Sequence, residues 1–287
     1  NNVENNCSNS EVVISPNASR IIITIISDKN GAYKYISEQF FKNNPPTAVY
    51  LNNNNITNYN GNYTIDLTAG SNTIEVIYND NIANMSCMFR KCSDIVSLDL
   101  SKLKTENVTT MNNMFSQCTS LESLNLGNFT TSMVENMNYM FYHCKKLNSL
   151  DLSKFDTKKV ESAFYMFAGC TSLKSLNLSN FETPALKSMD GMFWGCFSLE
   201  TLDMSKFNTE KVNNSTWTFS DCKKLAYINL RDYNGTDIFD FGDNYTYSNL
   251  VVCMNDYKQI NTETNRLKSN NVENNCSNSE VVISPNA

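Results

Sequence analysis

Apolar residues in the middle of this chain return on a fixed schedule. The run M-F-x-x-C-x-x-L-x-x-L-x-L, spelled by Met114, Phe115, Cys118, Leu121, Leu124 and Leu126, recurs with cysteine at Cys92, Cys118, Cys144, Cys170, Cys196 and Cys222, each step being 26 residues. A constant period of that size signals a solenoid, in which every unit buries its apolar face against the next. In each unit a pair such as Leu98/Leu100, Leu124/Leu126, Leu176/Leu178 or Ile228/Leu230 predicts a short parallel strand. Two inward side chains on an extended segment must flank one outward residue. Thr105, Thr131, Thr157, Thr183 and Thr209 then read as helix N-caps, a hydroxyl meeting an orphan N–H. Pro184 would hold the favoured first helical position. Val108, Met111, Met114, Phe115 and Cys118 put one apolar stripe along a short helix. The expectation is an α/β fold, a leucine-rich-repeat solenoid of about six 26-residue coils over residues 85–241.

The flanks do not share this period. Residues 20–26 are β-branched, Asp28-Lys29-Asn30-Gly31 is a turn signal, and residues 47–51, 63–67 and 73–78 are strand-like. Residues 19–84 are therefore expected to form a small β-sandwich-like domain that seals one end of the solenoid. At the other end Ser215 and Thr218 replace methionine, and residues 242–269 are polar apart from Leu250, Val251, Val252 and Cys253, as in a cap and linker. A second, longer repeat overlies the first. Residues 1–18, NNVENNCSNSEVVISPNA, return as residues 270–287, so the chain reads as one 269-residue unit and the start of the next copy. Residues 1–18 themselves read as a linker followed by a first strand. The plain reading is a window from a tandem array; strand donation between neighbours would use the same duplication.

Composition narrows the chemistry. The chain has 287 residues, 41% of them apolar and 18% charged, with a net charge of −6. No Lys/Arg cluster stands out in the sequence, which argues against nucleic acid. No apolar run approaches the length of a membrane span. The absence of a secretory signal is expected of a mature or excised segment. With one histidine, His143, in a variable column and expected as a solvated loop residue, and no phosphate-loop or paired-carboxylate motif, nothing points to an enzyme, a metal or a cofactor.

The repeated M-F-x-x-C-x-x-L-x-x-L-[DN]-L-S-x-F-x-T, over residues 82–235, resembles the BspA-like leucine-rich-repeat surface proteins of bacteria and anaerobic protists. The resemblance implies an extracellular, non-enzymatic protein of adhesion or surface display.

Five groups of residues remain as candidates. The six-membered cysteine column is expected to be a buried thiol ladder; disulfides between rungs and a metal site are the alternatives. Cys253 and Cys276 flank the unit boundary and are candidates for a disulfide joining one unit to the next. Tyr139, Tyr142, Tyr165, Trp194 and Trp217 occupy otherwise variable columns, either as a binding patch for a host protein or glycan or as packing over the solenoid. Among the N-x-S/T sequons, Asn55, Asn62, Asn234 and Asn244 are the loop-like glycosylation candidates. The outward column Asp99, Asn125, Asp151, Asn177, Asp203, Asn229 alternates carboxylate with amide. That spacing separates like charges and lets each amide bridge its neighbours; a calcium row is the competing reading. The functional expectation is a tandem structural protein whose units assemble head to tail into a surface fibre or stalk. The alternative is an adhesin using the solenoid face.

Overall fold

The computed structural model describes residues 14–56, 63–231 and 250–254, with Met254 and residues 272–274 described by their backbone alone. Seven elements precede the regular coils: β1 (Ser19–Ser27), β2 (Gly31–Lys34), α1 (Glu38–Asn43), β3 (Ala48–Leu51), β4 (Asn54–Asn55), β5 (Thr64–Leu67) and β6 (Gly70–Tyr78). The strands β7 (Ile95–Lys102), β8 (Ser123–Asn125), β9 (Ser175–Asn177), β10 (Thr201–Asp203), β11 (Tyr227–Asn229), β12 (Val251–Met254) and β13 (Val272–Asn274) follow. The result is a mostly-strand β-solenoid of about five turns with almost no helix.

One wall is built from the Leu-x-Leu segments. Leu98 pairs with Leu124, and Leu202 lies between Leu176 and Ile228, all in parallel register. A 26-residue step in sequence thus becomes one rung of a ladder, with rungs about 4.8 Å apart. The opposite wall holds a chain of parallel bridges through Asn84, Thr110, Asn136, Ser162, Ser188 and Asn214.

Between these bridges and the cysteine the expected helices are absent, and the α/β assignment fails there. Met111, Asn113, Phe115 and Gln117 donate their amides to the next coil, at Asn136, Asn138, Met140 and Tyr142. The amides of Met114, Ser116 and Cys118 bond three residues back within the coil. Asn113 and Gln117 have φ of 58° and 63°, and the equivalent residues of the other coils are left-handed too. A right-handed helix admits no such residues and sends no amide sideways. The apolar stripe is nevertheless buried, as its spacing predicts: Val108, Met111, Met114, Phe115 and Cys118 are all fully enclosed. Spacing of three suits a string of three-residue turns as well as it suits one face of a helix.

The threonine column is reassigned for the same reason. Thr131 Oγ1 accepts from the Asp156 amide (2.8 Å) and donates to the Asp156 carbonyl (2.8 Å), one coil on. Thr157 and Thr183 donate likewise to the carbonyls of Glu182 and Asn208 (2.9 Å each). These hydroxyls clamp coil to coil; they cap no helix. Pro184 lies in the turn closed by the Leu186 amide on the Thr183 carbonyl (3.1 Å), where its fixed φ suits the first central position.

Residues 19–84 do not stand apart as a β-sandwich. β1 lies between β6 and β7 and is antiparallel to both, so the sheet runs β4-β3-β6-β1-β7-β8 without a break. Ile21, Ile23 and Ile25, fully buried, join one continuous core with Phe89, Met114 and the residues beyond. The first coil's open carbonyls are met by Ser37, the N-cap of α1. Its amide donates to Met88 (2.9 Å) and its hydroxyl donates to the Cys87 carbonyl. At the far end the ladder runs past residue 241. Val251 pairs with Tyr227, and Val272 with Val252, at steps of 24 and 20 residues.

Two phenylalanine stacks run the length of the core. Phe89, Phe115, Phe141, Phe167, Phe193 and Phe219 lie 5.3–5.8 Å apart with nearly parallel rings. Phe129, Phe155, Phe181 and Phe207 form the second, at 6.0–6.3 Å. Such offset stacks add attraction beyond area burial.

The cross-coil role of the threonines is testable at Thr131. Replacing it with valine keeps the shape and strands both Asp156 groups, so urea unfolding should show a loss of about 2 kcal/mol. An unchanged midpoint would show that the hydroxyl carries no clamp.

Candidate functional site

Four of the five aromatic candidates come together on the outside of the turn wall. Tyr139 stacks on Tyr165 (5.6 Å between centroids), Tyr142 meets Tyr139 edge-on (5.3 Å), and Trp194 lies edge-on to Tyr165 (6.1 Å). Tyr139 and Tyr165 occupy the first left-handed column, with φ of 57° and 53°. Their backbone conformation throws the rings along the solenoid axis over the next coil. Tyr165 consequently lies over Gly191, where an added Cβ would approach the ring to 2.6 Å. Trp217 holds the same column one coil further on and is 55% exposed.

Phe164 belongs to this cluster and is absent from the sequence-derived set. Its ring lies 5.2 Å from Tyr139 and 4.6 Å from Tyr165. The signal was in the alignment of coils, where the other members of its column are Ser86, Asn112, Asn138, Asp190 and Thr216, all polar. Asn138 and Asp190 carry a polar margin beside the rings. Asn138 Oδ1 accepts from the Ser162 hydroxyl (2.6 Å) and the Phe164 amide (2.8 Å). Asp190 Oδ1 accepts from the amide and hydroxyl of Thr216 (both 2.8 Å). Burial raises the phenols of Tyr139 and Tyr165, so both rings stay neutral near pH 7. His143, expected as a solvated loop residue, is half-buried against Tyr142 (4.1 Å) and over Gly169. Desolvation, then Lys145, lowers its pKa. The arrangement is an aromatic cluster with a polar margin, and the residues described in it assemble no nucleophile–base pair.

The cysteine column has a structural task. Cys92, Cys118, Cys144, Cys170, Cys196 and Cys222 are fully buried free thiols. From Cys118 onward each Sγ donates to the carbonyl of a phenylalanine in the preceding coil. The acceptors run Phe89, Phe115, Phe141, Phe167 and Phe193, at 3.1–3.2 Å. Burial pushes the thiols of Cys118 and Cys170 up to about 12. Among the described residues no group of three or more metal-ligating side chains converges. Cys253 is buried and disulfide-bonded, while Cys276, its expected partner, lies outside the described residues. Asn55 is exposed on β4; Asn62, Asn234 and Asn244 lie outside the described residues.

The outward Asp/Asn column has a job in every coil. Asp99, Asn125, Asp151, Asn177, Asp203 and Asn229 each accept the amide two residues on, at 2.8–3.2 Å, turning the chain out of its strand. Asn125 and Asn229 also donate to Asp99 and Asp203 on the preceding rung (3.2 Å). The Ser153 amide and hydroxyl hold the Asp151 carboxyl below its ordinary range.

One family model matches the chain in four overlapping windows, residues 65–176, 122–229, 149–251 and 173–277; its description is "Mycoplasma protein of unknown function, DUF285". Together the windows span residues 65–277, well over half of the 287. A comparison with curated proteins finds no match. No helix among the described residues is long and apolar enough to cross a membrane.

Two measurements follow. At pH 8 a thiol reagent should leave the six column cysteines unlabelled in the native chain and label all six in urea, since thiolate is the reactive form. Labelling of any one at the rate of an open thiol would contradict the burial described. For Asp151 the folded pKa lies below the unfolded one, so its stabilisation is present above the unfolded value. It is lost as pH falls through the folded value. Asp151→Asn should keep the turn and flatten part of the acid-side decline in melting temperature; an identical acid profile would remove the carboxylate from the account.

Proposed function

The chain belongs to the DUF285 family, and we propose that it is a non-enzymatic structural protein of the cell surface, built of tandem 269-residue units. Units assemble head to tail into a fibre or stalk outside the cell. The observation that carries the reading is β13. Its residues Val272–Asn274 belong to the segment that duplicates residues 1–18, and they extend the solenoid sheet as a parallel strand on β12. The opening of one unit thereby becomes the last rung of the unit before it. Identical units joined this way repeat one heterologous contact, which yields an open filament unless rotation closes a ring.

Cys276 is proposed as the partner of Cys253, because it follows β13 by two residues and Cys253 pairs with Glu273 in the ladder. The bond would lock the seam in an oxidising surroundings. The BspA-like motif supports the surface location. Asn55, Asn62, Asn234 and Asn244 would carry glycans where the source has the pathway.

The aromatic cluster around Tyr139 and Tyr165 favours a second reading, an adhesin that presents this patch to a host protein or glycan. Electron microscopy of native material separates the two. Filaments with a regular axial repeat are expected, and isolated globules would sink the fibre reading. Mass spectrometry without reduction should recover a peptide linking Cys253 to Cys276, and a free thiol at Cys253 would remove the lock.

A further inference from the structure

The end of the solenoid at which the coils begin carries a basic recess. It has a volume of about 520 Å³ and lies between α1 and the first coil, lined by Lys34, Ser37, Glu38, Lys42, Arg90 and Lys91 among others. Four cations face one carboxylate there, and that carboxylate, Glu38, is held by Lys42 at 2.8 Å. Lys34 sits over the Tyr63 ring (5.6 Å). The remaining positive charge is out of character for a chain of net charge −6. The four residues come from two separate stretches, Lys34 and Lys42 in one and Arg90 and Lys91 in the other, and only the fold brings them together.

The complementary charge lies later in the sequence. Residues 232–243, DYNGTDIFDFGD, carry Asp232, Asp237, Asp240 and Asp243 and neither Lys nor Arg, and they directly follow the last regular coil. In a tandem array, residues 275–287 are all that separates β13 of one unit from β1 of the next. Those 13 residues span at most about 45 Å when fully extended. The acidic segment of each unit thus precedes the recess of its successor in the same chain, with only this short connection between β13 and the next β1.

We propose that the recess of one copy takes up residues 232–243 of the neighbouring copy, as a second, electrostatic contact at the seam. The inference rests on the head-to-tail reading and adds a polarity to it. Acidic end meets basic end, while two like ends repel, so copies in the wrong orientation are rejected.

A synthetic peptide of residues 232–243 tests the contact on the 287-residue chain. The peptide should bind, and raising salt from about 0.05 to 0.5 M should weaken it by about tenfold as the Debye length shrinks. The Lys34→Glu, Arg90→Glu, Lys91→Glu variant, checked for an unchanged melting temperature, should lose binding by at least about tenfold. A peptide with lysine at 237, 240 and 243 should restore it. A peptide with asparagine at those three positions should fail on the unaltered chain, a control that leaves the recess itself untouched. Equal binding to both chains, no binding at low salt, or a heparin tetrasaccharide bound in the recess where the peptide is not, would each overturn the proposal. Filaments seen by microscopy together with a peptide that does not bind would sink this contact alone; a bound peptide without filaments would sink the fibre and leave the contact standing.

Discussion

Every coil of this protein depends on the coil beside it for its backbone hydrogen bonds. Alternate amides along the turn wall have no acceptor within their own coil and reach the next one, from Met111 to Asn136, from Asn113 to Asn138, and onward through the ladder. A buried amide left unpaired costs several times what a typical hydrogen bond contributes net. The 26-residue period is therefore a requirement of stacking. The threonine clamps, the thiol-to-carbonyl bonds and the two phenylalanine stacks all sit on this frame and repeat because the frame repeats.

A ladder of this kind has two raw ends, and the ends are where the sequence stops being regular. At the first coil Ser37 and β1 close the open edge, using antiparallel strands whose polarity cannot be confused with the parallel rungs. At the last, the steps shorten from 26 to 24 and then to 20 residues as β12 and β13 take their places. An uncovered strand edge invites pairing with another chain.

Much of this was legible in the sequence. The period, the inward Leu-x-Leu pairs and the enclosed cysteines followed from spacing alone. The turn wall was misread because positions 108, 111, 114 and 118 fit a helical face and a string of turns equally well. The feature that decides between them is the left-handed pair in each coil, and it carries no glycine signature: Asn113 and Gln117, Tyr139 and His143, and Trp217 and Asp221 hold these positions beside Gly191 and Gly195. The threonine column was misassigned in consequence, since a cap needs a helix to cap. The sandwich expected over residues 19–84 failed for a different reason. Strand propensity says nothing of which sheet a strand joins, and β1 found its second partner in the solenoid. Four of the five candidate aromatics do meet, and Phe164, the one apolar member of its column, joins them because that column faces the same way.

The outward Asp/Asn column gives the solenoid a rule for growth. Its backbone repeats every 26 residues, but Asp99, Asn125, Asp151, Asn177, Asp203 and Asn229 repeat every 52. An amide can donate to the carboxylate on the rung before it, as Asn125 does to Asp99. Two carboxylates on adjacent rungs would instead repel by about 0.8 kcal/mol even in water. Inserting one Asp-bearing coil next to another breaks the alternation, whereas inserting an Asp coil together with an Asn coil leaves it intact. The natural increment of length is therefore the pair of coils.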